Sequence, residues 1–147
     1  MVAKLGKWLR FLGFDCFIAH GESDRALLEI ARDEQRIILT RDSKFVHELL
    51  EPSDKAVFLT NEDWQQQLRE IITAYRLRDI CQPFSRCGLC NALLVQMDAE
   101  EIEACIPEGA RVHGMDFTRC PACGKYYWRG DHARRMEARI KTLLESV

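Results

Sequence analysis

Leu5, Trp8, Leu9 and Leu12 recur at i, i+3, i+4 and i+7, with Lys4, Lys7 and Arg10 off that stripe. The pattern predicts an amphipathic helix over 3–12, closed by Gly13 as a left-handed cap. FDCFIA (14–19) reads as a buried strand, and SDRALLEIARDEQ (23–35) as an apolar-faced helix starting at the N-cap residue Ser23. RIILT (36–40) is rich in β-branched residues and predicts a second strand. DSKFVHELLE (42–51) returns to helix and stops before Pro52, KAVFLT (55–60) is a third strand, and EDWQQQLREIITAYRLR (62–78) is a long helix. TNED, Thr60 to Asp63, has the spacing of a capping box at its start. Strands that alternate with helices require crossovers, so the fold class is α/β, a parallel sheet flanked by helices.

In such a sheet a helix follows a strand, yet the helix at 3–12 follows none. Either the sheet has lost its first strand, or residues upstream of Met1 supply it in a longer protein. The alternation stops at ICQPFSRCGLC (80–90), where cysteines appear. The chain therefore divides into an α/β unit at 1–80 and a cysteine-bearing unit at 81–147.

Composition narrows the class. A chain of 147 residues with 47% hydrophobic content can bury a core. It has no apolar run of about 18 residues for a membrane span and no secretory leader, so a cytoplasmic protein with no membrane association is expected. The net charge of −2 is unevenly spread, with 8 basic and 4 acidic side chains in residues 111–147. Such a tail attracts phosphate, although a solvated helix face would look the same.

Seven cysteines in a chain of this kind point to metal rather than disulfides. Cys87 and Cys90 in CGLC, and Cys120 and Cys123 in CPAC, form two knuckles with 29 residues between them. Each knuckle grips an ion from a tight turn, and two close a tetrahedron of sulfur around a structural Zn²⁺. Redox use of the pairs is the alternative. The segment between the knuckles reads as short and hydrophilic. Cys16 and Cys105 read as buried packing residues, and Cys81 as a spare thiol.

Asp24, Asp42 and Asp63 each stand just after a strand or at the start of a helix. Ligands gather at the carboxyl ends of parallel strands, and carboxylates converging there could hold Mg²⁺ or Mn²⁺. Capping of free helix N–H groups accounts for the same residues without catalysis, most plainly for Asp63.

KLGKWLRFLGFD, SDRALLEIARDEQRIILTRD, RCGLCNALL and RCPACGKYYWRGDH, in this order, resemble the Mut-seven C-terminal RNase-domain family over essentially the whole chain. The resemblance implies a PIN-like nuclease domain followed by a small zinc ribbon and a C-terminal basic helix. It matches Asp24 and Asp42, and more loosely Asp63, to the family's acidic positions. It matches Cys87, Cys90, Cys120 and Cys123 to the ribbon ligands, and Trp128, Gly130 and His132 to the closing pattern of the ribbon. Family members usually begin with a short strand ending in Asp, and that acid has no counterpart here.

The leading expectation is a metal-dependent ribonuclease that hydrolyses RNA phosphodiesters, with activity impaired by the absent acid. Asp24 and Asp42 would hold Mg²⁺ or Mn²⁺. Arg119, Lys125, Arg129, His132, Arg134 and Arg135 would hold single-stranded RNA, with Tyr127 and Trp128 stacking its bases. The alternatives are a non-catalytic RNA-binding module and a zinc-ribbon adaptor for a protein partner.

Overall fold

The computed structural model describes residues 2–145. The first helix, α1 (Val2–Phe11), packs against α4 (Trp64–Ala74). Leu5, Trp8, Leu9 and Leu12 bury the predicted stripe against Leu68, Ile71 and Ile72. Trp8 stacks on Trp64 with ring centroids 4.8 Å apart, and Lys4 Nζ lies 4.8 Å from the same Trp64 ring. The same core is completed by Ile140 and Leu143 of the last helix, α7 (Asp131–Glu145). The C-terminal helix thus packs against the first lobe, although it follows the cysteine-bearing segment in sequence.

Between α1 and α4 lie α2 (Asp24–Asp33), β1 (Ile38–Thr40), α3 (Ser43–Leu49) and β2 (Ala56–Phe58). The strands pair in parallel, Ile38 with Ala56 and Thr40 with Phe58, with α3 as the crossover. Ser23 Oγ accepts from Ala26 N–H at the head of α2, as the sequence predicts. The start of α4 differs from the predicted box: Asp63 is itself the N-cap, its carboxylate accepting from Gln65 N–H at 3.2 Å.

The segment 14–19 forms neither strand nor helix. At Cys16 the backbone is satisfied by side chains rather than by a ladder. Cys16 N–H donates to Asn91 Oδ1 at 3.1 Å, and Cys16 C=O accepts from Arg10 Nε at 2.7 Å. A cleft of about 630 Å³ opens between this segment, α2 and β1, lined by Phe14, Ile18, Leu27, Ala31 and Leu39. Ile38 N–H donates to Lys55 and Thr40 C=O accepts from Leu59, so these residues face β2. By the alternation of a parallel ladder, the N–H and C=O of the intervening Leu39 point the other way. The sheet has β1 at one edge, with no strand beyond it among the described residues.

A single 3-10 turn, Arg78–Ile80, leads into the second lobe. There β3 (Val95–Gln96), β4 (Thr118–Arg119) and β5 (Tyr126–Tyr127) form an antiparallel sheet in that order. The stretch between the knuckles is more structured than its polarity suggests. It carries α5 (Ala99–Cys105), opened by a capping box of Asp98 and Glu101, and α6 (Glu108–His113). The polar residues there are helix-surface and cap positions, and period 3.6 is hard to read in elements of this length.

The lobes meet at the end of α1. Gly13 closes a Schellman turn, with Gly13 N–H on Arg10 C=O and Phe14 N–H on Leu9 C=O. The free carbonyls of Phe11 and Leu12 accept from Phe84 and Gln82 N–H, both at 2.8 Å. Gly13 has φ +93°, and a Cβ there would run into the Gln82 carbonyl. Gly13→Ala is expected to cost about 1–3 kcal/mol or more through the left-handed backbone and this collision. Equilibrium urea unfolding measures it, and a loss below about 0.5 kcal/mol would contradict the packed turn.

Candidate metal centre and acidic cleft

The two knuckles come together. Cys87 and Cys120 are buried, Cys90 and Cys123 exposed, and their four sulfurs lie within 4.8 Å of one another. Cys87 and Cys123 Sγ are 3.6 Å apart, Cys90 and Cys120 Sγ 3.3 Å. Zn–S bonds of about 2.3 Å at tetrahedral angles put sulfurs about 3.8 Å apart, so this donor set suits a metal such as zinc. Burial pushes the Cys87 thiol up. The Tyr127 hydroxyl at 3.0 Å and the N–H groups of Cys90 and Leu89 outweigh it and hold Cys87 down at about 6. Cys90 behaves oppositely: Ala92 N–H pulls it down, but burial and the neighbouring thiols push it up to about 12. A proton shared among crowded sulfurs is what a cation would displace.

Two of the remaining cysteines are not packed as predicted. Cys105 is exposed, at the end of α5 beside the Tyr126 hydroxyl, and Cys16 is half-buried on the cleft wall. Both sit at lobe surfaces where an apolar neighbourhood in sequence meets only one packed face. Cys81 stands apart from the cluster, its thiol on Arg78 C=O.

Asp24 and Asp42 line the same cleft. Asp42 is the N-cap of α3: its Oδ1 accepts from Lys44 N–H at 2.8 Å and Phe45 N–H at 3.2 Å, while Thr40 Oγ1 accepts from Asp42 N–H. Among the described hydrogen bonds its Oδ2 takes none. Asp24 opens α2, one residue past the cap, which leaves its side chain free of a capping bond. Asp63 caps α4 and is not among the residues lining the cleft. Asp15, which the sequence did not single out, also lines it. The Arg36 guanidinium bonds its carboxyl and holds it below the ordinary carboxylate range, with Asn91 Nδ2 donating at 2.7 Å.

Several basic side chains of the second lobe and α7 are partnered. Arg119 pairs with Glu101 at 2.8 Å, and Arg129 with Glu137 at 2.7 Å and Asp116 at 3.1 Å. Arg134 lies 3.5 Å from Asp131, and Arg135 Nε donates to Asp131 C=O. Lys125 Nζ stands 5.7 Å from the Tyr127 ring, and Trp128 and His132 are exposed. Tyr127 is half-buried and its hydroxyl is committed to Cys87.

A family model described as the Mut7-C RNAse domain matches residues 1–140. The chain belongs to this family. Comparison with curated proteins and with solved structures returned no match. Membership in the Mut7-C RNAse family supports a nuclease-like function in general and a nucleic acid as substrate. Among the described residues no helix is long and apolar enough to cross a membrane.

Besides Asp15, sequence reasoning missed Arg10. It appears in the sequence as an off-stripe cation, but in the structure it is 4% exposed. No local pattern signals this, because two of its three carbonyl partners lie 78 and 79 positions away, at Gly88 and Leu89.

Proposed function

We propose that this chain is a metal-dependent ribonuclease of PIN-like architecture, with residues 1–80 carrying the acidic site and residues 81–147 a zinc ribbon that binds RNA. The observation that carries the reading is that Asp24 and Asp42, from two different helix starts, line one cleft that runs along β1, with Asp42 just past the strand's carboxyl end. Asp42 is held by its own helix, with one oxygen capping and the other uncommitted. A Mg²⁺ or Mn²⁺ held by these carboxylates supplies water activation and charge stabilisation for phosphodiester hydrolysis. Asp24 contributes the second oxygen donor, and Lys125, Trp128, His132, Arg134 and Arg135 steer single-stranded RNA toward the site. The outward-facing backbone of Leu39 supports the further reading that a strand ending in Asp, paired along that edge, completes the ligand set. Zn²⁺ in the four-cysteine cluster has a structural role, because four thiolates leave no place for water.

The test is Mn²⁺-dependent cleavage of a labelled single-stranded RNA by this chain, with and without an added N-terminal strand ending in Asp. Asn caps a helix as well as Asp does, so Asp42→Asn keeps α3 while removing the charge. It should slow cleavage by about two orders of magnitude or more, the equivalent of roughly 3 kcal/mol of transition-state stabilisation. An inert extended protein together with an indifferent Asp42→Asn would sink the enzyme reading.

One observation favours a second reading, a nuclease fold kept as an RNA-binding surface. Among the described residues the cleft carboxylates do not gather as three donors around one point, whereas the cysteines gather as four. That reading expects RNA affinity that falls steeply with salt, without turnover.

A further inference from the structure

Arg10 is a buried cation with no anionic partner among the described residues. It is 4% exposed, forms no ion pair, and its donors go to three carbonyl oxygens: Cys16 at 2.7 Å, Leu89 at 2.6 Å and Gly88 at 3.3 Å. A guanidinium withdrawn from water with neutral partners alone is strongly disfavoured, so a counter-charge is required nearby.

The identity of the carbonyls shows where that charge lies. Gly88 C=O and Leu89 N–H belong to one peptide group, and Leu89 C=O and Cys90 N–H belong to the next. Both peptides lie inside the CGLC knuckle, between the ligands Cys87 and Cys90. Arg10 therefore bonds the oxygen ends of the two peptides that link the paired thiols of one knuckle. Charge on the guanidinium polarises both peptides and fixes the backbone of the turn that carries Cys87 and Cys90. Four thiolates around one Zn²⁺ carry a formal charge of −2, which is the counter-charge that Arg10 otherwise lacks.

Its remaining bond runs the other way. Cys16, which accepts from Arg10 Nε, stands with Asp15 and Phe17 on the wall of the acidic cleft. We propose that Arg10 is a positioning residue that couples metal occupancy of the Cys87, Cys90, Cys120 and Cys123 cluster to the order of the 14–19 cleft wall, acting as the counter-charge of the tetrathiolate centre. The inference rests on the reading that the cluster holds zinc, and it does not depend on whether the cleft cleaves RNA.

The experiment measures zinc affinity of the full chain by competition with a chromophoric chelator, alongside amide hydrogen exchange of residues 14–19. Arg10→Met keeps the apolar stem and removes charge and donors, and should weaken zinc binding about 10–100-fold, as loss of an outer partner to a metal ligand does. Arg10→Lys restores the charge without the fork and should fall between Met and the parent. Arg86→Met cuts a neighbouring bridge, to Gly13 and Asn91 carbonyls, without touching the Gly88 or Leu89 peptides, and should weaken zinc binding far less. In the parent protein, chelation of zinc should raise exchange across 14–19. Should Arg10→Met fail to fold, the Arg10→Lys affinity and the parent's exchange with and without zinc still decide the matter. Equal zinc affinity in parent and Arg10 variants, equal loss in Arg86→Met, or exchange at 14–19 indifferent to zinc would each overturn the proposal. Failure of the parent itself to bind zinc would instead remove the metal reading on which it stands.

Discussion

Cys120→Ser should strip the metal from the second lobe and unfold it. Cys120 is 1% exposed and 3.3 Å from Cys90 Sγ, so the hydroxyl can neither reach the ion as a thiolate would nor find water in compensation. Binding of structural zinc contributes on the order of 10 kcal/mol to small cysteine-rich modules. The strands it would hold, β3 to β5, are 2 residues each and cannot stand on their own ladder bonds. Zinc content after dialysis and near-ultraviolet circular dichroism read the outcome. Full zinc retention with unchanged unfolding would refute the assigned site. Acid should act in the same direction. The loaded cluster binds fewer protons than the empty one, so metal-dependent stability rises with pH and is lost as pH falls. In the empty cluster Cys87, held down at about 6, gives up its proton most readily, whereas Cys90, pushed up to about 12, keeps its own until a cation displaces it.

Leu68→Ala should cost about 3 kcal/mol. Leu68 is 1% exposed and belongs to the cluster that Leu5, Leu9 and Leu12 of α1 form with Ile71 and Ile72. Its removal deletes buried methyl groups and leaves a cavity between helices whose stacked Trp8–Trp64 pair resists collapse. For a chain of this size the change corresponds to a fall in Tm of about 6–12 °C. Equilibrium denaturation should show a lower midpoint with an unchanged slope. Leu93, 58% exposed, gives the comparison: its replacement by Ala should stay within about 0.5 kcal/mol. Similar costs at the two positions would mean that α1 and α4 do not pack as described.

The parts of this structure that the sequence disclosed are the ones written in short-range patterns. The stripe of α1, the Ser23 cap, the crossover between RIILT and KAVFLT, and the paired knuckles each depend on residues within a few positions of one another. The segment 14–19 misled because its composition suits a strand, whereas strand assignment depends on a ladder neighbour, and here Asn91 and Arg10 satisfy Cys16. Burial of Arg10 was invisible for the same reason, since two of its three carbonyl partners come from the other lobe. Asp24 and Asp42 could be named from their helix starts. Their shared cleft depends on how α2 and α3 flank β1, and that is decided by packing across the whole lobe.

The docking of α7 bears on how the molecule is made. Ile140 and Leu143 fill a core whose other walls are residues 5–12 and 59–72. During synthesis the early helices emerge from the ribosome with that apolar face bare, and they stay so while the cysteine-bearing segment is threaded out. Contacts between such distant positions slow the final collapse. The nascent N-terminal half should therefore be a client for chaperones until the last helix is released.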